Sequence, residues 1–461
     1  MFEAILSIDL GASYTKVAYR NTCAPPKGEQ KEPAQVLFFD GSPLIPSLTI
    51  RTRNPAQPWV FGRLAAGMTP SVEMQVFQNW KADLFRPRND QDSATAAIIV
   101  HRFFEWLRSR LEKDHSIDVR KCQTRVAMPA FDTFDENAVL VARCMDLSGW
   151  DDPTLILKVR EPHANTLGLF TEGRNIVMCG AQGQRSPNYA KIFGPDNVLI
   201  RRAREHVLYG THTNLLTVMV VDIGAFTTDL ALLTFDVTAP ADGLSAIRQE
   251  SHALGVINQL DSPLFAAIGE RHGFSWSALR FEDAELYKRE LYQGNAPALQ
   301  IQGGPIIQLG DETDIKLFQE AAQQFAAGVW GKVTAFITTP VPSHVLLTGG
   351  GSLIRPVADR LKASFKGGGV RVVPVPEANG EAGTGERRRW QDTGEGLQRL
   401  ATAVGGASVI LQEAAFQEPH AFPPEPRSPS GSAFMNGRKN CRCQGGNKDC
   451  CFCGGRGFVS V

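Results

Sequence analysis

IDLGASYTKVA at Ile8–Ala18 and VDIGAFTTDLA at Val221–Ala231 are the two stretches on which the fold of this chain turns. From the aspartate onward five of ten positions are identical: Asp9 with Asp222, Gly11 with Gly224, Ala12 with Ala225, Thr15 with Thr228 and Ala18 with Ala231. Each copy follows an apolar run and leads into another, so each is predicted to be a β-hairpin with a polar tip. A single Asp-x-Gly tip is an ordinary hairpin turn, because both residues suit the dihedrals that turns require. Turn chemistry does not demand the same threonine and alanine downstream. Their recurrence in opposite halves of the chain marks an internal duplication.

The tips hold the groups that a phosphate chain needs. Glycine lets successive N–H groups approach an anion closely, and Ser13, Thr15, Thr227 and Thr228 add hydroxyl donors. Asp9, Asp222 and Asp229 repel phosphate, and they fit beside it only with Mg²⁺ and its waters in between. A third element, HVLLTGGGSLIRPVADRLKASF at His344–Phe365, runs from an apolar strand through Gly349, Gly350, Gly351 and Ser352 into a helix opened by Pro356. Such a turn admits flat or anionic groups to the backbone and the helix N-terminus. Glycine-rich turns also serve packing alone.

The rest of the chain supports an α/β protein. Short apolar runs at Ala4–Ile8, Thr124–Met128, Leu155–Val159, Thr217–Val221, Val345–Leu347 and Arg371–Val375 read as strands. Helical spacing over Asp135–Leu147 and 356–365 falls between them. A length of 461 residues predicts about three domains, and 43% hydrophobic with 21% charged residues excludes wholesale disorder. Lys plus Arg (48) balances Asp plus Glu (48), which removes the overall basic field of a general nucleic-acid binder. No run reaches the roughly 18 apolar residues of a membrane span, and no signal peptide is read in MFEAILSIDLG. A cytoplasmic protein with no membrane partner is the expectation. Between Pro376 and Gly396 lies a Gly- and Glu-rich loop whose Arg387, Arg388 and Arg389 read as a solvated face rather than an anion site.

Taken with these motifs, the sequence resembles the actin, sugar-kinase and heat-shock ATPase superfamily over roughly residues 1–413, and within it the ATPase domain of seventy-kilodalton (DnaK-type) chaperones. Asp9–Lys16 is similar to the family's first phosphate loop, Val221–Leu230 to the second and Leu347–Pro356 to the adenosine loop. Arg125–Gly149 resembles the family's strand, Val-Pro-Ala-Tyr turn and following helix. REPHANTL at Arg160–Leu167 resembles its first interdomain connector, and VFQNWKADLF at Val76–Phe85 the segment that supplies a lysine to the phosphates. Glu285, Lys288 and Arg289 match a Glu-x-x-Lys-Arg helix face that clasps adenosine.

The resemblance implies a two-lobed actin-like fold of duplicated ribonuclease-H-like domains. Lobe I would span 1–170 with a returning helix at 397–415, and lobe II would span 171–396. It implies ATP or ADP as ligand and slow hydrolysis, with lobe closure switching a protein partner or client of co-chaperone or exchange-factor type. Family roles fall on Glu161 as the group orienting or deprotonating water and on Lys81 as the γ-phosphate contact. Asp9 and Asp222 hold hydrated Mg²⁺, while Thr227 and Asp229 order water and phosphate. Gly11, Ala12, Ser13, Tyr14, Thr15, Lys16, Gly224, Ala225, Thr228 and the Gly349–Ser352 turn complete the nucleotide contacts. Read without the resemblance, Glu161 before Pro162 is a helix-start residue and Lys81 a surface lysine. The chain departs from the family at Ala12, at Ala225-Phe226 in place of a glycine run, at Asn165-Thr166 in place of alanines, and at Tyr292 in place of a small polar residue. These departures bear on hydrolysis more than on nucleotide binding. A non-hydrolysing nucleotide-gated adaptor or actin-like scaffold, and a small-molecule kinase on the same fold, are the alternatives.

After a proline-rich linker over 416–437, residues 438–461 form a cysteine-rich tail. Cys441-x-Cys443 and Cys450-x-x-Cys453 supply four thiolates, enough for tetrahedral Zn²⁺, among glycines that permit tight knuckles. Cys451 is spare. A redox-active or disordered tail is the other reading. The Cys-x-x-Cys-x-Gly-x-Gly half resembles the zinc repeats of DnaJ-type co-chaperones, which implies a docking element. The tail's basic residues admit only a weak nucleic-acid contact.

Overall fold

The computed structural model describes residues 2–22, 33–54, 58–87, 89–150, 156–169, 215–236, 244–293, 295, 298–300, 306–308, 311–337, 342, 344–366, 371–374, 385–388, 393, 395–408, 438–440 and 458–460. The chain opens with β1 (Ala4–Asp9), β2 (Tyr14–Asn21) and β3 (Gln35–Leu37), followed by a bridging strand β4 (Ile45–Pro46). A small three-stranded sheet comes next, made of β5 (Thr49–Thr52), β6 (Trp59–Phe61) and β7 (Met74–Phe77), with helix α1 (Gly62–Ala66) between the last two. Helices α2 (Trp80–Phe85) and α3 (Asp90–His115) lead to β8 (Cys122–Met128), α4 (Phe134–Leu147), β9 (Ile156–Arg160) and a helix α5 over 161–169.

A second series repeats the plan: β10 (Leu215–Ile223), β11 (Thr228–Asp236) and β12 (Leu244–His252), then helices α6 (Ser262–His272) and α7 (Phe281–Tyr292). After the short pair β13 (Ala298–Gln300) and β14 (Ile306–Gln308) come α8 (Glu312–Phe336), β15 (His344–Thr348), α9 (Arg355–Lys366) and β16 (Arg371–Pro374). The chain then returns through β17 (Arg387–Arg388) to α10 (Leu397–Gly406).

The duplication read in the sequence extends to topology. One sheet has the order β3-β2-β1-β8-β9 with β17 at its edge, and the other has the order β12-β11-β10-β15-β16. In each, the first three strands pair antiparallel and the last two run parallel to the first. The protein is thus a mixed α/β structure built on two sheets of one plan.

Alternation along the central strands explains why they read as unbroken apolar runs. In β1, Leu6 and Ile8 face a core built with α3 and α4, while Ile5 faces the opposite way. In β10, Met219, Val221 and Ile223 join the core against α6, α8 and α9, while Val218 and Val220 face the same inner cluster as Ile5. That inner cluster also holds Leu169 of α5 and Leu397, Leu400, Ala401 and Val404 of α10. Strands buried on both faces need apolar residues at every position, not at alternate ones.

Helices α5 and α10 cross with backbones in contact. A Cβ added at Gly168 would lie 1.9 Å from the Ala401 carbonyl oxygen, and one at Gly405 would lie 1.8 Å from that of Ala164. Arg125, fully buried on β8, donates to the carbonyls of Gly406 and Ser408 at 2.9 and 2.7 Å and so closes the C-terminal end of α10. Burial pushes its guanidinium down to about 10, with Arg20 adding to the effect.

Arg387 is exposed, as a solvated face requires, and Arg388 is half-buried, but both lie in a short strand and not in a loop. Their strand pairs with β3, Arg388 lies 3.9 Å from the Phe38 ring centroid, and Arg387 lies 4.8 Å from that of Tyr19. Both guanidiniums lie over aromatic rings at the edge of the first sheet, a use that charge patterning does not reveal. No helix among the described residues is long and apolar enough to cross a membrane. The linker 416–437, the residues 171–214 and all five tail cysteines lie outside the described residues, and so do residues 409–415 of the expected returning helix. At the tail, β18 (Arg438–Asn440) and β19 (Phe458–Ser460) pair antiparallel and bring the two ends of the cysteine segment together.

Candidate functional site

Both duplicated hairpins place an aspartate opposite the residue seven positions on. Asp9 pairs with Lys16 across β1 and β2, and Asp222 pairs with Asp229 across β10 and β11. The tips close differently: Gly11 N–H donates to the Asp9 carbonyl at 3.0 Å, and Gly224 N–H donates to that of Thr227 at 2.8 Å. Glycine is required at the first tip, where a Cβ would lie 2.0 Å from the Tyr14 carbonyl oxygen. The two tips and the turn after β15 line one cleft of about 340 Å³.

On the cleft wall stand Asp9, Gly11, Ala12, Ser13, Tyr14, Lys16 and Lys81 from the first half. Asp222, Gly224, Ala225, Thr227, Glu285, Lys288, Arg289, Gly349, Gly350 and Gly351 face them from the second. Gly349 has φ +81°, and a Cβ there would sit 2.2 Å from Asp222 Oδ1. The glycine-rich turn therefore lies directly against the second aspartate.

Five of the expected site residues do not line the cleft: Thr15, Thr228, Ser352, Asp229 and Glu161. Thr15 hydrogen-bonds Ser47 at 3.3 Å, and Thr228 donates to the Leu254 carbonyl at 2.6 Å; both are fully buried and neither lines the cleft. Ser352 donates to the Gly349 carbonyl at 2.7 Å and shapes the turn without lining the cleft. The two threonine hydroxyls are used internally because strand alternation turns every second side chain away from the tip.

A charged layer runs from Asp9, Lys16, Lys81 and Asp222 on the cleft wall back to Glu161 and Asp229 behind it. Lys81, on α2, is 3% exposed and pairs with Glu161, the first residue of α5. The reading of Lys81 as a surface lysine is thereby excluded, while Glu161 does begin a helix. Lys16 Nζ bonds Asp9 Oδ2 at 2.8 Å. Asn165, on α5, donates through Nδ2 to Asp222 Oδ2 at 2.7 Å. Asp229 accepts from Thr227 Oγ1 at 3.0 Å and from Ser251, whose own oxygen accepts the Ala130 N–H at 2.7 Å.

Burial pushes the Glu161 carboxyl up to about 8 against the pull of Lys81, with Asp229 and Asp9 raising it further. Burial, then Asp9 and Glu161, push Asp222 up to about 7. Burial and Asp222 do the same to Asp229, also to about 7. Four carboxyls, three of them pushed upward by burial and by one another, crowd against Lys16 and Lys81. Among the described residues the one group of three acids or histidines close enough to ligate an ion together is His272, Asp311 and Asp314, so the cleft acids would hold a divalent cation through its waters.

Further out, Glu285, Lys288 and Arg289 share one face of α7, as their spacing requires. Lys288 bonds Glu285 at 2.8 Å and Asp261 at 3.2 Å. Burial lowers its ammonium, but Asp261 and Glu285 override that and raise it above the ordinary lysine value. Tyr14 Oη donates to Glu285 Oε2 at 3.3 Å, so the first tip reaches across to α7. Phe281 packs edge-on to Tyr14 and against the small sheet, and Arg63 pairs with Glu282 at 3.7 Å. Tyr292 bonds Asp261 and stacks on Phe318 at 5.2 Å.

Several cleft residues were not anticipated. Gln398, Arg399 and Thr402 come from α10, and Val256, Ile257 and Asp261 from the end of β12 and the π-helical turn at Ile257–Asp261. The only sequence signal for the first three is the regular spacing of a plain helix, which points to packing. Phe226, which replaces a glycine in the resemblance, is 5% exposed and packs edge-on to Phe131 at 6.0 Å within the core of the first sheet. No protein-family model matches this chain, and no curated protein matches it in sequence.

Proposed function

We propose that the chain is an ATP-binding, chaperone-type ATPase of the actin, sugar-kinase and heat-shock superfamily. Its two lobes would close on Mg·ATP and thereby switch a protein partner. The observation that carries this reading is the convergence of two duplicated Asp-Gly tips and a glycine-rich turn on one cleft, backed by the buried Lys81–Glu161 pair.

In this reading the N–H groups of both tips bind the phosphates, with Ser13 and Thr227 as hydroxyl donors. Asp9 and Asp222 hold the magnesium waters, and the ion supplies screening of phosphate charge when bound. Lys81 leaves Glu161 for the γ-phosphate and neutralises charge that develops there. Glu161, freed of its partner inside a buried layer, accepts the proton of the attacking water. Asp229, fixed by Thr227 and Ser251, orients that water. Glu285, Lys288 and Arg289 hold the adenosine end. The backbone contact between α5 and α10 is the pivot of closure.

The cysteine tail forms part of the same proposal. β18 and β19, which pair, flank in sequence the segment that carries Cys441, Cys443, Cys450 and Cys453. Zinc would supply the folding energy of a unit with almost no core and make it a docking knob. Zinc analysis of wild type and Cys450→Ser tests it, and a metal-free wild type removes it.

ATP titration and steady-state phosphate release on the purified chain test the main reading. Turnover that disappears in Asp222→Asn and Glu161→Gln supports it; absence of nucleotide binding overturns it. Phe226 favours a second reading. An aromatic pin from the second tip into the core of the first sheet restrains relative motion there, as suits a non-hydrolysing adaptor or scaffold. Tight binding without phosphate release would select that alternative.

A further inference from the structure

Asn165 and Thr402 place two polar side chains at a glycine-lined helix crossing. Asn165 is 1% exposed and Thr402 is 6% exposed. They lie beside Ala164 and Ala401, where α5 and α10 touch backbone to backbone. Burying an amide in such a contact costs free energy for every donor or acceptor left unused. Asn165 Nδ2 donates one hydrogen to Asp222 Oδ2 at 2.7 Å and the other to Thr402 Oγ1 at 3.2 Å. The amide must face this way, since Oδ1 turned toward a carboxylate would set two acceptors against each other. Asn165 Oδ1 is buried with no partner among the described residues.

The neighbours of Asp222 show what this bond does. Oδ1 lies against the Cα of Gly349 so closely that no side chain fits there, while Oδ2 is taken by Asn165. The carboxylate is therefore held from both sides, by the glycine-rich turn and by α5. Asp9 has its own hairpin partner in Lys16, but the equivalent position opposite Asp222 is another acid, Asp229. Asn165 supplies from a separate helix the donor that the second hairpin lacks. Thr402, itself on the cleft wall, extends the link to α10.

We propose that Asn165 is a positioning residue that fixes the Asp222 carboxylate for a hydrated divalent cation and ties it to the α5–α10 crossing. The inference rests on the reading of the cleft as a magnesium–nucleotide site. It concerns the part of nucleotide affinity that depends on the cation, because Asn165 acts on Asp222 and is not itself on the cleft wall.

The test is titration of the full chain with a fluorescent ATP analogue, once with Mg²⁺ and once with excess EDTA. In Asn165→Ala the gain in affinity that Mg²⁺ gives is expected to shrink about tenfold, as for loss of one hydrogen bond to a charged group. Affinity in EDTA should stay within about twofold, which a merely structural defect would not allow. Thr402→Val keeps the bond to Asp222 and should lose about threefold or less of the Mg²⁺ gain. If Asn165→Ala does not fold, Asn165→Ser carries the same expectation, since its donor stops one bond short of the amide nitrogen. Equal losses with and without Mg²⁺, or no loss, overturn the proposal. A wild-type chain that binds no nucleotide in either condition removes the nucleotide reading itself, whereas a wild type with a Mg²⁺ gain and unchanged variants sinks this inference alone.

Discussion

Replacing Lys81 by methionine isolates the charged layer from the rest of the fold, because the variant keeps a long apolar stem and removes only the ammonium. In the wild type Lys81 opposes the burial that drives Glu161 up to about 8. Without it the carboxyl rises further still. The folded-state value is raised in both proteins, so stability is fully present below the ordinary glutamate value near 4.3 and is lost as pH rises, until the folded carboxyl itself ionises. Wild type reaches that point at about 8, whereas the variant goes on losing stability above it. We therefore expect a Lys81→Met penalty that is nearly equal at pH 5 and pH 7 and grows by about 1.4 kcal/mol for each pH unit above 8. Urea denaturation of wild type, Lys81→Met, Glu161→Gln and the double variant at pH 5, 7 and 9 measures this. The double variant should lose the growth above pH 8, since glutamine has no proton to release. A Lys81→Met penalty that grows between pH 5 and pH 7, or that stays flat up to pH 9, would refute the reasoning.

Three further outcomes follow from the same geometry. Gly349→Ala places a methyl group 2.2 Å from Asp222 Oδ1 at φ +81°, so we expect loss of about 2 kcal/mol or more in thermal denaturation, with nucleotide binding lost as well; an unchanged Tm and affinity would contradict it. Phe226→Ala removes the aromatic pin against Phe131 and should cost about 3 kcal/mol, while phosphate release, if limited by lobe motion, rises; a variant slower than wild type would mean the pin assists catalysis. Asp222 and Asp229, both pushed up to about 7 by burial, should make the cation-free protein less stable between pH 6 and pH 8, by about 1.4 kcal/mol for each group. Stability in EDTA that is flat or rising over that window would count against the crowded-acid picture.

The two hairpins were legible because their tips depend on residue types with little substitute. Gly11 stands where a Cβ would strike the Tyr14 carbonyl, and Gly349 stands where only a positive φ fits. The strands were legible because burial on both faces writes a continuous apolar run into β1 and β10. What the motif could not convey is direction. Thr15 and Thr228 recur as faithfully as Gly11 and Gly224, yet they point inward to Ser47 and Leu254, because recurrence preserves packing residues as readily as contact residues. Nor does a helical pattern announce that one turn of α10 opens onto a cleft, as Gln398, Arg399 and Thr402 do.

The sharpest limit lies in the repeat itself. Two hairpins of identical register differ where Lys16 faces Asp9 and Asp229 faces Asp222, so one acid is compensated within its own hairpin and the other is not. The missing donor comes from Asn165, which a comparison of the two copies cannot reveal because it belongs to neither. A duplicated backbone thus fixes where the acids stand, while residues outside the duplication fix what charge each can carry. Any asymmetry of function between the halves has to arise there.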